Sequence, residues 1–554
     1  MSARNLVIGL DGLDLGVVEQ FGPECLPQLH EVMGRGAYAA LESVQPPATL
    51  PNWTTFLTGL DPAHHGVFDF TTRSGYQVRF TAGTAREAPT IFQRLDQLGL
   101  RCACLSFPAT WPPERLAHGA FVSGWDAPVA FEVDRSFVWP PHLYDETVSR
   151  FGVPTFDDID EFAADAPGWV DALPSALCTR VARKTQWARW LLDRDSWDVF
   201  AVYFGETDTA SHYLWSHHDP QSPRRPQHVS SEQRAALLRV YRAVDEAVGQ
   251  LLQSAGADTE LTILSDHGSG GSSDKVIYLN RLLAEHGLLE FKANRGAMAT
   301  RVKELALRRL PPRIREQLFR VGNAWLPSRL ESGVRFGSID MARTLAFSDE
   351  LNYFPAVYLN LEGREPRGIV PPAQRQEVVA RIRAALLGVR DPWTGAPIVK
   401  AVIPREELYE GPWLERAPDL ILDMHQDGGY SYNLMPSSGA PPGRGAWRKL
   451  GEHEKVGKKG RSLPGSHRSH GFMAIGGPRV RPAGRVDAHI ADLTATLLAR
   501  LDLAVPASFA GRVLWEALDL DGTAQALPAP AVVAKPKGNQ AALENRLRAL
   551  GYIE

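Results

Sequence analysis

Cysteine is scarce in this sequence. Its 554 residues include four, Cys25, Cys102, Cys104 and Cys178. They lack the paired spacing of a zinc ribbon and are too few for a disulfide scaffold, so they read as reduced thiols of a cytoplasmic protein. One-sided charge is also missing. Sixty Lys and Arg against 64 Asp and Glu leave a net charge of −4. Stable nucleic-acid binding, which draws on a basic excess, is therefore not expected. No run of about 18 apolar residues occurs, so no transmembrane segment is expected. MSARNLVIGLDG goes straight into a strand pattern, without the charged and apolar regions of a secretory signal. No internal repeat of fixed period is present. Hydrophobic residues at 44% and charged residues at 22% exclude global disorder.

What the sequence does contain is an alternation of short apolar runs and helical patterns. Leu6 to Leu10, Cys102 to Phe107, Val199 to Phe204, Leu261 to Leu264 and Phe472 to Ile475 read as buried strands. Ser230 to Ser254 reads as an amphipathic helix, with Leu237, Val240, Tyr241, Val244 and Val248 on one face. This pattern predicts an α/β fold, a largely parallel central sheet with helices on both faces. The rhythm breaks between Ser272 and Pro464, where a basic helical segment, a strand-like run from Phe354 to Leu361 and a Gly-, Pro- and Lys-rich loop follow one another. The expected organisation is a catalytic core over residues 1–271 and 465–522, an inserted cap over 272–464, and an Ala/Pro-rich linker with a short helix over 523–554.

Three acidic residues stand just after three of these strands: Asp11 in VIGLDG, Asp208 in VFAVYFGETD and Asp266 in LTILSDHG. Open α/β sheets bind ligands beyond the carboxyl ends of their strands. Three carboxylates gathered there are costly unless cations neutralise them. His212, four residues after Asp208, shares its helix face, and His267 adjoins Asp266. Carboxylate with imidazole suits zinc and neighbouring transition metals. His467, in GSHRSHGF, is a further ligand candidate, with His470 as its competitor. A second signal is PPATLPNWTTFL, where Pro51 suits the first turn of a helix and Thr49 stands at its entrance. The hydroxyl there either caps the helix or, coordinated to a metal, becomes a nucleophile. Asn52 offers an amide to a developing phosphoryl charge.

Taken together, VIGLDG, TLPNW…TGLDPAHHG, DTASH, SDHG and GSH…GFMAIGGP resemble the type I phosphodiesterase/nucleotide pyrophosphatase family of the alkaline phosphatase superfamily. The matches run in the family's order to about residue 515, and YLNLEGREPRGIV resembles the cap of bacterial and archaeal members. The resemblance implies an alkaline-phosphatase-like fold and a hydrolase acting through a phospho-threonine at two divalent metal ions, most often zinc and in some relatives manganese. It implies that Asp208, His212 and His467 hold one metal. Asp11, Thr49, Asp266 and His267 would hold the other, with Thr49 as nucleophile and Asn52 on a phosphoryl oxygen. The partner is then a phosphate-ester small molecule, nucleotide or phospholipid-derived. A phosphomonoesterase of the same superfamily is the nearest alternative, and a non-catalytic binding or scaffold protein the alternative of another class. A sulfatase would need Cys or Ser in C/S-x-P-x-R where this chain has Ala48-Thr49-Leu50-Pro51-Asn52. The resemblance places His64 and His65 in a structural turn, and His217 and His218 are expected in surface or packing roles. The basic loop from Gly439 to Lys459 is read as either a lid over substrate phosphate or a surface loop.

Overall fold

Unbroken apolar runs make the middle of the central sheet. In the strand Ala3–Leu10, Leu6, Ile8 and Leu10 pack into one apolar cluster and Val7 into another. A strand covered on both faces needs an apolar residue at every position, which is why it reads as a run and not as an alternation. Helices Trp169–Leu192 and Ser231–Ala255 cover the first face, and helices Thr49–Thr58 and Ile490–Arg500 the second. Ser230 caps its helix reciprocally with Gln233. The computed structural model describes residues 3–81, 83–124, 134–153, 159, 164, 166–292, 335–350, 355–440, 445–457 and 462–520. Most of the basic segment read between 292 and 335, and the tail from 523 to 554, lie outside these residues.

Nine strands form the central sheet in the order Gly484–Arg485, Ala37–Glu42, His470–Gly476, Glu260–Leu264, Ala3–Leu10, Trp197–Phe204, Cys102–Leu105, Ala120–Val122, Val138–Trp139. The five from Glu260–Leu264 to Ala120–Val122 are mutually parallel. His470–Gly476 enters antiparallel between Glu260–Leu264 and Ala37–Glu42. Leu10 pairs with Phe204 and Gly9 with Leu264, so the three strands that precede Asp11, Asp208 and Asp266 end level at one edge.

Buried Arg500 ties the opposite end of the sheet together. Its guanidinium reaches Glu260 at 2.6 Å, Thr262 at 2.8 Å and the Gly476 carbonyl at 3.0 Å. Arg500→Ala leaves the Glu260 carboxylate buried without its partner. The expected cost is about 3–5 kcal/mol, read from the denaturant midpoint.

Between the core strands lie two smaller sheets. The long strand Gly268–Ile277 pairs with Gly465–Arg468, Ser431–Leu434 and Trp447–Lys449, so the 271/272 boundary read from the sequence falls inside one strand. Its Gly/Ser-rich composition reflects close neighbours. A Cβ on Gly268 would stand 2.1 Å from the His470 carbonyl oxygen, and one on Gly270 2.4 Å from the Arg468 guanidinium. The second small sheet, Ala346–Phe347, Ala356–Leu359, Leu420–Met424 and Val399–Pro404, packs with helix Arg375–Leu387 around Val357, Leu359, Ile382 and Leu386. Among the described residues, no helix is long and apolar enough to cross a membrane.

Candidate active site

The level strand ends deliver the predicted residues to one place. Asp11 leaves its strand with its N–H on the Phe204 carbonyl, and Gly12 follows at φ +66°. A Cβ on Gly12 would meet the Asp208 Cα at 2.9 Å, so glycine alone lets the two acidic segments approach. Asp208 lies in the first turn of helix Glu206–His218, and His212 stands one turn on. Asp266 and His267 link Glu260–Leu264 to Gly268–Ile277. His467 arrives on the partner strand, opposite Ser269. Thr49 is the first residue of helix Thr49–Thr58.

The distances join all seven into one cluster. His267 Nε2 is 3.4 Å from Asp11 Oδ1, 3.3 Å from Asp266 Oδ2 and 3.5 Å from Thr49 Oγ1. His212 Nε2 is 3.2 Å from Asp208 Oδ1 and 3.2 Å from His467 Nε2. The rings of His267 and His467 stack with centroids 3.6 Å apart, which places the two halves in contact. Ligand atoms of Asp208, His212 and His467 lie within 4.8 Å of one another, and so do those of Asp11, Asp208 and His267. Asp208 thus belongs to both groups, a sharing that spacing along the chain does not reveal.

Each imidazole is oriented by a main-chain carbonyl on its far nitrogen. His212 Nδ1 lies 3.1 Å from Gly465 O, His267 Nδ1 3.0 Å from Gly268 O, and His467 Nδ1 2.9 Å from Pro47 O. Such a carbonyl fixes the proton on Nδ1 and leaves Nε2 bare. The bare nitrogens face Asp11 Oδ1, Asp208 Oδ1 and Asp266 Oδ2, three buried oxygens without a hydrogen-bond donor among the described residues. Lone pairs thus confront lone pairs at the centre of the cluster. Divalent cations with oxygen and nitrogen ligands fit this donor set. The same crowding shifts the acids. Burial, then the charge of Asp208, pushes Asp11 up to about 7. Burial and the charges of Asp11 and Asp208 raise Asp266 well above the carboxylate range. Asp208 is also pushed up by burial, but the imidazoles of His212, His467 and His267 outweigh this and hold it below the ordinary value. Burial lowers His267 to about 4, and burial with the charge of His267 beside it holds His467 well below the ordinary imidazole value.

Thr49 does not cap its helix. The cap position is Ala48, and Thr49 Oγ1, 3% exposed as a residue, turns toward His267. Asn52 departs from the expected role. Its amide nitrogen donates to the carbonyls of Ala48 at 2.8 Å and Pro46 at 3.0 Å, and its Oδ1 accepts from Val44 N at 2.8 Å. Fully buried, it braces the loop before Thr49, and both amide hydrogens are spent on backbone. His470 is exposed and opens the strand His470–Gly476, whereas His467 sits inside the cluster. His65 packs against Thr55 Oγ1 at 3.1 Å and His64 pairs with Asp61 at 2.7 Å. His217 is buried, and the ring of His218 packs on Phe21. In the basic loop, Arg448 pairs with Glu454 at 2.6 Å and Lys455 with Glu452 at 2.7 Å, so these two cations face their own loop and not the cluster. Arg444, Lys458 and Lys459 lie outside the described residues.

Sequence reading missed two neighbours of Asp11. Trp53 Nε1 donates to Asp11 Oδ2 at 3.0 Å and the Tyr203 hydroxyl donates to the same oxygen at 2.6 Å. Trp53 was visible in hindsight, four residues after Thr49 on the same helix. Tyr203 had no signal, being one more apolar position of a buried strand.

Comparison with known proteins bears on this geometry. Human ectonucleotide pyrophosphatase/phosphodiesterase 5 is 14% identical, over 93% of this chain and 98% of that one, with a TM-score of 0.49. An inactive variant of the murine protein, solved in complex with AMP, is 15% identical over 91% and 96%, with a TM-score of 0.47. A search of curated protein sequences found no match. Residues 5–472 match the type I phosphodiesterase/nucleotide pyrophosphatase family, a span that holds all seven clustered residues. The chain belongs to the type I phosphodiesterase/nucleotide pyrophosphatase family.

Proposed function

We propose that the chain hydrolyses phosphodiester or nucleotide pyrophosphate bonds through a phospho-threonine on Thr49, at a site for two divalent cations, zinc or manganese. The observation that carries this reading is the set of bare imidazole nitrogens facing donor-less carboxylate oxygens around Thr49 Oγ1. Asp208, His212 and His467 would hold one cation, and Asp11, Thr49, Asp266 and His267 the other, with Asp208 close to both. Bound cations lower the pKa of the Thr49 hydroxyl and offset charge on the leaving oxygen. Thr49 Oγ1 forms the new bond to phosphorus while the bond to the leaving alcohol or phosphate breaks in line with it. Water then cleaves the phospho-threonine and restores the hydroxyl. The Asn52 amide is committed to Ala48 and Pro46. Contact with the phosphoryl oxygens is assigned to the main-chain amides of Thr49 and Leu50 at the start of helix Thr49–Thr58, since Pro51 has no N–H and the Asn52 N–H bonds to Ala48 O. The four cysteines are free, in keeping with a cytoplasmic placement as part of the proposal.

The test is metal analysis combined with turnover of bis-p-nitrophenyl phosphate and p-nitrophenyl phosphate. About two cations per chain and faster diester cleavage are expected. Faster monoester cleavage would instead assign a phosphomonoesterase. Failure to bind zinc or manganese, with neither ester cleaved, would leave the binding or scaffold reading.

A pH dependence follows from Asp11. Its carboxyl titrates near 7, so a cation must displace a proton below that pH. Zinc affinity at this group is expected to fall about tenfold between pH 8 and pH 6, measured by chelator competition. For the metal-free protein the sign is opposite. A folded-state value raised from 3.8 to about 7 adds stability that is complete in acid and is lost as pH rises through about 7.

A further inference from the structure

Asp11 is the one clustered carboxylate whose far oxygen receives two side-chain donors, among the described residues. Trp53 Nε1 and the Tyr203 hydroxyl both bond to Oδ2, at 3.0 and 2.6 Å, while Oδ1 stays without a donor and faces His267 Nε2. The main chain of Asp11 is fixed as well: its N–H bonds to Phe204 O and its carbonyl accepts from the Thr207 hydroxyl at 2.5 Å. Neither donor has room to turn away. Trp53 and Tyr203 are fully buried, meet edge-on at 5.4 Å between centroids, and both pack on Phe107. A Cβ on Gly9 would stand 2.8 Å from the Trp53 ring, so the indole presses against the strand that ends in Asp11. Asp266 is held more loosely, with Gly12 N at 3.3 Å and Ser265 Oγ at 3.5 Å on its Oδ1.

A carboxylate free to rotate offers a cation one oxygen or two, and in a buried site it also swings toward other partners. We propose that Trp53 and Tyr203 are positioning residues, a two-donor clamp that restricts Asp11 to one-oxygen coordination through Oδ1. The proposal rests on the two-cation reading above. The clamp acts on one cation site, because its donors reach Asp11, whose ligand atom groups with those of Asp208 and His267, while the other group is Asp208, His212 and His467. Through that selectivity it sets the ranking of the two sites: how tightly the cation beside Thr49 is held relative to the one beside His212.

The experiment is zinc titration of the whole chain against a chromophoric chelator, with Tyr203→Phe, Asp11→Asn and the double variant compared in a thermodynamic cycle. Wild type should bind two zinc ions. Tyr203→Phe should weaken one of them about 10–100-fold and leave the other in place. In the Asp11→Asn background the same substitution should cost nothing further, because its effect runs through Asp11. The visible spectrum of the cobalt(II)-loaded Tyr203→Phe protein should change in the bands of a single site. Should Tyr203→Phe fail to fold, Trp53→Phe takes its place in the cycle. Unchanged zinc affinity in Tyr203→Phe, an equal loss at both sites, or an undiminished loss in the Asp11→Asn background overturns the clamp. Wild-type protein that takes up no zinc overturns the two-cation reading, and the clamp falls with it.

Discussion

Thr49→Ala should lower diester turnover by on the order of 10⁴-fold or more while the protein folds as before. The two halves of that expectation rest on different observations. Turnover depends on Oγ1, the one hydroxyl placed 3.5 Å from His267 Nε2. Folding does not, because the helix is entered through Ala48 and no side-chain cap is lost. Alanine also has the higher helix propensity. Thr49→Ser keeps a hydroxyl in place and should recover most of the rate. Steady-state assays of the two variants, alongside their melting temperatures, provide the check. A Thr49→Ala enzyme that keeps more than a tenth of the wild-type rate would mean that another group attacks phosphorus.

The second large effect belongs to Asp208. His212 and His467 each lie in one group of ligand atoms, whereas Asp208 lies in two. Its Oδ1 is 3.2 Å from His212 Nε2 and 3.7 Å from His467 Nε2, with no hydrogen-bond donor among the described residues. Asp208→Asn removes a full negative charge from this position and should empty both sites on dialysis. His212→Asn should empty one. Elemental analysis of the dialysed proteins separates the cases. A full equivalent of metal retained by Asp208→Asn would confine that carboxylate to a single site.

The residues that chemistry marks most plainly were legible in the sequence. Doubly covered parallel strands read as apolar runs, and an Asp directly after such a run marks the ligand-binding edge. Asp11, Asp208 and Asp266 were therefore visible without a structure, and His212 and His267 followed from spacing. The strand Gly268–Ile277 was not legible. Its glycines, required by the His470 carbonyl and the Arg468 side chain, imitate a loop. The backbone partners of Asn52 were hidden for a related reason. An amide at a helix entrance looks the same in sequence whether it faces a ligand or three backbone groups, and here the cis peptide bond between Gln45 and Pro46 lies in the loop it braces. Tyr203 was hidden by its neighbours, since a tyrosine inside VFAVYF reads as strand filler until its hydroxyl is seen on Asp11.

The place of His470–Gly476 in the sheet has a consequence for how the chain is made. It fills the position beside Glu260–Leu264 and brings His467 with it, yet roughly 200 residues are synthesised between the two. At about 5–20 residues per second, a ribosome takes about 10–40 s to deliver the missing strand. Throughout that interval the nascent chain presents an unpaired edge strand, with Leu261, Ile263 and Leu264 in it, and a cluster of acids short of one imidazole. Exposed edges of this kind recruit other chains. Soluble yield should therefore respond to elongation rate across the cap codons, and chains arrested within the cap should be found with holdase chaperones.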